Sequence, residues 1–382
     1  MPAYFDYNAT TPLSDAAREA WLNASTHHWY NASSLYREAG FTSQKLDAAR
    51  ERLADLLGCD AGRIVFTSGA SESNNALFAS LPAGEQVAIS AIEHPSVREA
   101  AREWTKKPVI EIPVNEQGVV ELEVVLQVIK DSRPPLISVM AANNESGTIQ
   151  PWRRIANLCE EHGVAFHCDA AQWIGKQDSK SLGRCSYITG SAHKFGGPKG
   201  IGFLVLRDEV EPLCYLRGGP QENGRRAGTE NYPAIEAMVT ALESISALLP
   251  QTEEKQVPLR DAFVDSLRSS MPELRVIGEG VPRLWNTVLM VMPRHDNLKW
   301  LTRLSRLGFA ISTGSACSSG KEGSSVVVTA LGASWEELKR VVRISGGWHT
   351  TQAEWRALAE AFQTVSTDLD AGGPGKAALL FT

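Results

Sequence analysis

The sequence is sparing with cysteine and gives the few it has no pairing pattern: Cys59, Cys159, Cys168, Cys185, Cys214 and Cys317 contain no C-x-x-C and no recurring spacing. This excludes a disulfide framework and a zinc knuckle as organising devices. Positive charge is not in excess either. The chain has 38 Lys+Arg against 44 Asp+Glu, a net charge of −6, so nothing draws it generally to nucleic acid or an anionic membrane. No apolar run approaches the roughly 18–20 residues that span a bilayer. The opening Met1-Pro-Ala-Tyr-Phe-Asp-Tyr-Asn8 lacks the basic and apolar regions of a signal peptide. Internal repeats are missing, and low complexity is confined to the C-terminal end. Together these absences predict a soluble, cytoplasmic protein.

What is present can build a sizeable core. Of 382 residues, 43% are apolar, enough burial to offset chain entropy. Single cores stop growing near roughly 250–300 residues, so the length predicts two domains or one large one. Between about residues 45 and 240, helical periods alternate with short apolar runs, the pattern of an α/β fold on a mostly parallel sheet. Leu46, Ala49, Leu53, Leu56 and Leu57 recur at helical spacing, and Gly58 stands where that helix would end. Residues 63–67, 86–90, 136–141 and 164–168 read as strands, and Ser96-x-x-Glu99 has the form of a capping box. Pro250 and Pro258 interrupt a helical stretch beginning near Tyr232 and flank a charged segment. The expected division is therefore a large α/β domain over residues 15–254 and a smaller α+β domain built from 1–14 and 255–382. Residues 371–376 have linker composition, and the apolar tip after them is expected to tuck back onto the chain.

Three local patterns carry chemistry. In Thr67-Ser-Gly-Ala-Ser-Glu-Ser-Asn74 a strand runs through small residues into a helix start, which offers backbone N–H groups and a positive dipole end to a phosphate. No Walker lysine accompanies it, which argues against a nucleoside triphosphate. In Val164-Ala-Phe-His-Cys-Asp169, the carboxylate of Asp169 would stand at the carboxyl edge of the sheet, although a helix N-cap uses the same residue type. In Gly190-Ser-Ala-His-Lys-Phe-Gly-Gly-Pro-Lys-Gly200, Lys194 beside His193 could form a Schiff base; Lys199 lies beyond the turn with nothing adjacent to poise it. A phosphate cradle, a strand-end carboxylate and a lysine together match the needs of pyridoxal 5′-phosphate, with the lysine holding the aldehyde and the carboxylate keeping the ring nitrogen protonated. Asn144, Glu145 and His94 add polar groups at the same sheet edge, and a histidine there can move protons near neutral pH.

With Ser191-Ala-His-Lys194, Arg226-Ala-Gly-Thr-Glu-Asn231 and Gly314-Ser-Ala-Cys317 in this order, the chain resembles a cysteine desulfurase of the NifS/IscS-like branch. That branch belongs to the fold-type I, class V aminotransferase-like pyridoxal-phosphate enzymes: a large domain with a mostly parallel central sheet plus a smaller α+β domain. The resemblance runs from Tyr4 to Thr351. It implies Lys194 as the Schiff-base lysine, Asp169 on the pyridinium nitrogen, Gln172 and Asn144 at the phenolic oxygen, and His94 over the ring. Ala70, Ser71, Ser191 and His193 would contact the phosphate. Thr229 would reach the phosphate of a second subunit, which implies a homodimer. Asn144 and Arg343 would hold the substrate, Arg343 by its carboxylate.

The resemblance further implies that L-cysteine gives up its sulfur to Cys317 as a persulfide and leaves as L-alanine, with Lys194 and His94 as proton carriers. The persulfide would pass to an acceptor or scaffold protein in iron–sulfur cluster assembly or thiolation. Cys317 is also where an iron–sulfur cluster could touch the chain; no other metal site is implied. A selenocysteine lyase or another lyase on this fold is the alternative, and a non-catalytic scaffold a more distant one. Three departures stand out: Tyr36 at a place commonly held by histidine, Gly346 within Ser345-Gly-Gly-Trp in place of Ser-Leu-Gly, and residues 324–326, which lack the usual Pro-Ser-His.

Overall fold

The computed structural model describes residues 3–82, 84–209, 212–213, 215–313 and 325–372. Cys214, Cys317 and the C-terminal tip lie outside the described residues. The chain opens with β1 (Ala3–Tyr4), α1 (Asp15–His27) and α2 (Arg37–Leu57). Strands and helices then alternate as β2 (Ile64–Thr67), α3 (Ala70–Ser80), β3 (Ala88–Ser90), α4 (Pro95–Thr105), β4 (Ile110–Ile112) and α5 (Leu122–Ser132). They continue as β5 (Leu136–Ser138), α6 (Trp152–Glu161), β6 (Ala165–Asp169), β7 (Tyr187–Ser191) and β8 (Gly202–Val205). After α7 (Tyr232–Ser246) and α8 (Leu249–Ser270) come β9 (Arg275–Ile277), β10 (Thr287–Val291), α9 (Asn297–Arg306) and β11 (Phe309–Ala310). The last elements are α10 (Val326–Ala330), α11 (Trp335–Leu338), β12 (Val341–Ser345) and α12 (Gln352–Asp370).

Strands β2 to β8 form one sheet in the order β2-β8-β7-β6-β5-β3-β4. It is parallel from β7 to β4, with β8 antiparallel to both neighbours. Strands β5, β6 and β7 are buried along their whole length, as apolar central strands covered on both faces must be. From β3 the chain steps outward to β4 and then returns to β5, β6 and β7 on the other side. The order thus reverses beside β3, and the carboxyl edge at such a reversal is where open α/β sheets take ligands. Helix α6 shows how sequence spacing fixes this packing: Trp152, Ile155, Ala156 and Cys159 share one face and are buried against the sheet.

A second core forms on the antiparallel sheet β12-β10-β9. Trp355, Leu358, Phe362 and Val365 of α12 pack there with Phe263 of α8, Trp300 of α9 and Phe5. Burial of one such side chain contributes about 1.5–3 kcal/mol. The N-terminal strand β1 pairs in parallel with β11, and Asp6 bridges to Ser345, so the first residues are stitched into this part while the next few reach the edge of the large sheet.

Two local expectations are corrected. Pro258 does not interrupt a helix, since α8 runs through it and Pro250 occupies the first turn, where its missing N–H costs nothing. The break falls at residues 247–248 instead. Helix α4 is not opened by a Ser96–Glu99 capping box: the imidazole of His94 is the N-cap and accepts from the Ser96 N–H, with Pro95 in the first turn. The Ser96 hydroxyl is spent on His94 and Asn74. Among the described cysteines, Cys159, Cys168 and Cys185 are buried and Cys59 is partly exposed. No helix of the described residues is long and apolar enough to cross a membrane.

Candidate active site

A cavity of about 590 Å³ opens at the carboxyl edge of the large sheet. Ala70, Ser71, His94, Asn144, Asp169, Gln172, Ser191, His193, Lys194 and Arg343 all line it, so the fold gathers residues spread over most of the chain. Lys199 also reaches its wall. Thr229 does not; it is exposed on the surface of this chain. Cys317 lies outside the described residues.

One end of the cavity is built from backbone. Gly69 precedes α3 with φ +146°, and no side chain caps the first N–H groups of that helix. Gly202 of β8 packs so closely behind this turn that a Cβ there would stand 2.7 Å from Gly69 Cα. Glycine is therefore demanded at 202 by this close approach and at 69 by its positive φ. Glu72 accepts from the Ser68 N–H and from Arg226, which clamps the Arg226-Ala-Gly-Thr segment onto the start of α3. Ser191 and His193 close this end. His193 is bonded to Thr10 Oγ1 at 3.1 Å, and burial together with nearby lysines pushes its imidazole down to about 4, leaving it uncharged at neutral pH.

The floor holds a polar chain. Asp169 is the last residue of β6; its Oδ1 accepts from Ala171 N–H at 3.0 Å and its Oδ2 from Asn74 Nδ2 at 3.2 Å. It caps no helix. The same Asn74 nitrogen lies 2.9 Å from Ser96 Oγ, which in turn is 2.8 Å from His94 Nδ1. Because the Ser96 backbone N–H also points at Nδ1, that nitrogen must accept, and the neutral ring carries its proton on Nε2. Burial holds the His94 ring below its ordinary pKa, with Lys194 adding to the effect and Asp169 opposing it. Lys194, in the turn after β7, donates to the carbonyls of Asn8 at 2.7 Å and Ala9 at 2.9 Å.

At the other end stands Arg343 of β12, only 2% exposed. Its Nη2 donates to Asp6 Oδ1 at 2.7 Å and its Nη1 to the Asn144 carbonyl at 3.0 Å, while its buried Nε has no partner. Two buried carboxyls flank this end. Burial pushes Glu93 up to about 8, the Asp169 charge adding to it, with its Oε1 bonded to Ser90 and to the Met140 N–H. Glu145 is also raised by burial and accepts from Ser325. Sequence reading missed Asp6, Asn8, Asn74, Glu93 and Ser96 as site residues. Asn74 was findable, since it lies one helical turn from Ala70 on the same face of α3. The others depend on tertiary approach.

The donor set fits pyridoxal 5′-phosphate: an uncapped helix start for a phosphate, a carboxylate for a ring nitrogen, a lysine for an aldehyde, and an orphaned guanidinium N–H for an amino-acid carboxylate. This defines the class, a fold-type I pyridoxal-phosphate enzyme. The profile of the family "Aminotransferase class-V" matches residues 3–358, and the chain belongs to that family. It is 35% identical to a cysteine desulfurase IscS of Methanosarcina thermophila, over 95% of this chain and 91% of that protein. A solved NifS-like protein superposes with a TM-score of 0.87 at 29% identity, covering 96% of this chain and all of the other. SspA in complex with cysteine superposes with a TM-score of 0.75 at 31% identity, covering 90% of this chain and 98% of that one.

Proposed function

We propose that this protein is a pyridoxal-phosphate cysteine desulfurase: it takes L-cysteine, releases L-alanine and keeps the sulfur as a persulfide on Cys317. The observation that carries this reading is the meeting of Lys194, Asp169, His94 and Arg343 on one cavity, with the Arg343 Nε left without a partner.

The cofactor supplies an electron sink that withdraws density from the amino-acid α-carbon. Lys194 would hold its aldehyde and Asp169 its ring nitrogen, with His94 over the ring. Ala70, Ser71, Ser191 and His193 would hold the phosphate, and Gln172 and Asn144 the phenolic oxygen. Arg343 binds the substrate carboxylate through its planar fork, aimed by Asp6 and the Asn144 carbonyl. Lys194 would be the base for the substrate α-proton. His94 enters with its proton on Nε2 and so donates before it accepts. The Cys317 thiolate then takes the substrate sulfur. An S–S bond forms as the Cβ–S bond breaks, the electron pair of that bond returns to the amino-acid carbon skeleton, and protonation releases alanine.

Thr229, exposed on one copy, would complete the phosphate site of a second, so the active form is a homodimer. The persulfide passes to an acceptor or scaffold protein of iron–sulfur cluster assembly or thiolation in the cytoplasm, without direct contact with nucleic acid or membrane. The test is alanine release from cysteine and from selenocysteine, with the wild type and Cys317→Ala. The wild type should release alanine from cysteine, and the variant should lose at least about 10²-fold of that activity. Full activity in Cys317→Ala would overturn the persulfide role. Lys194→Ala should abolish the visible absorbance of the bound cofactor.

A further inference from the structure

Lys176 is a lysine that the reaction above does not use, and it is 1% exposed. It closes the turn that follows β6, four residues after Gln172, and this turn is pinned from the far side by two indoles. Trp285 Nε1 donates to the Lys176 carbonyl and Trp348 Nε1 to the Gly175 carbonyl, each at 2.8 Å. The Lys176 Nζ stands 2.8 Å from Gln172 Oε1. The charged groups bearing on it are Lys194 and Arg343, and no carboxylate lies within ion-pair distance of it among the described residues. Burial and these two cations hold its pKa well below that of an ordinary lysine, and in either protonation state its Nζ donates to Gln172.

Gln172 is itself buried and has both ends of its carboxamide engaged. Oε1 accepts from Lys176, and Nε2 donates to the Asn8 carbonyl at 2.9 Å, the same oxygen that receives Lys194 Nζ at 2.7 Å. The second Nε2 hydrogen is left for the cavity that Gln172 lines. We infer that Lys176 is a positioning residue that holds the Gln172 carboxamide so that an N–H, and not the carbonyl, faces the cofactor's phenolic oxygen. Without Lys176 the Oε1 acceptor is buried and unsatisfied, and the amide must turn or shift to recover a donor. This rests on the reading of Lys194 and Gln172 given above.

The test is a pH titration of the visible absorbance band of the cofactor joined to Lys194, which reports the proton on that nitrogen and needs no turnover. A ring oxygen that loses a donor holds that proton more strongly. Lys176→Met is therefore expected to raise the midpoint by about half to one pH unit, the worth of one hydrogen bond. Gln172→Leu should raise it similarly, and adding Lys176→Met to Gln172→Leu should give no further shift. An unchanged midpoint in Lys176→Met would overturn the inference. So would an equal shift in both backgrounds, which would mean that Lys176 acts by its own charge. Lys176→Gln, an uncharged donor, should stay near the wild-type midpoint; it carries the test if the methionine variant does not fold, and a shift of about half a unit there also overturns the inference. Absence of the band from the unmodified protein would instead overturn the cofactor reading, and this inference with it.

Discussion

Asp6 and Arg343 lie 337 positions apart in the chain, yet Asp6 Oδ1 accepts from Arg343 Nη2 at 2.7 Å. The contact is partly screened from water, with Arg343 2% and Asp6 19% exposed at the side chain, so it counts for more than a surface pair. Asp6 aims the guanidinium, and its removal should act on substrate binding more than on turnover. Asp6→Ala is expected to raise KM for cysteine roughly 10–100-fold, the worth of one charged hydrogen bond, with a smaller change in kcat. Asp6→Asn keeps an acceptor and should lose less. Steady-state kinetics on the three proteins decide it; an unchanged KM in Asp6→Ala removes Asp6 from the site.

That pairing also shows what the sequence could and could not reveal. Strand-end Asp169, turn-borne Lys194 and the uncapped start of α3 were legible because each owes its place to local grammar: apolar run, then turn, then helix. Arg343 read without the resemblance is a charge on a strand, and Asp6 one of many acidic residues. Their meeting follows from β1 pairing with β11 and Asp6 bridging to Ser345, contacts that no local pattern announces. The cap of α4 was misread for a related reason. Ser96-x-x-Glu99 has the right letters for a capping box, but tertiary contact with Asn74 recruits the Ser96 hydroxyl and leaves the capping to His94.

The bonding of His94 makes a prediction about its protonation. A histidine in water is half protonated near pH 6.5. Burial and Lys194 depress the His94 pKa, and the Ser96 N–H occupies Nδ1. Nitrogen-15 spectra of histidine-labelled protein should find His94 neutral at pH 6.5, with its proton on Nε2. A titration midpoint at or above 6.5, or a proton on Nδ1, would contradict the proton order assigned above.

Glu93 couples stability to pH. Its folded-state pKa is raised to about 8, above the ordinary carboxyl value, so the folded protein binds this proton more tightly than the unfolded chain does. The stabilisation is complete below about pH 4.5 and is lost as pH rises toward 8. Glu93→Gln cannot ionise and should escape that loss. The Tm of the variant should gain on the wild type progressively between about pH 5 and 8, by the equivalent of a few kcal/mol at the upper end. A constant difference across that range would mean Glu93 is not protonated in the fold.

Gly346 stands where the resemblance implies leucine, and the structure supplies a steric reason for glycine. A Cβ at this position would lie 2.8 Å from Trp355 Cζ2 and 3.4 Å from Thr350 Oγ1. Trp355 is 2% exposed and stacks edge-on against Phe5 with ring centroids 4.8 Å apart, so it cannot withdraw without opening the smaller core. A leucine at 346 must therefore overlap an indole that is itself fixed. Gly346→Leu should destabilise the protein by about 3 kcal/mol or more, at the upper end of overpacking costs. Trp355→Leu alone should also destabilise, through the cavity it leaves. If the two positions compete for one volume, the double variant should be more stable than the sum of the single losses predicts, by at least about 1 kcal/mol in a denaturation cycle. Strict additivity would show that the indole and residue 346 do not share that space, and the departure from leucine would then need a cause outside the packing of α12 on β12.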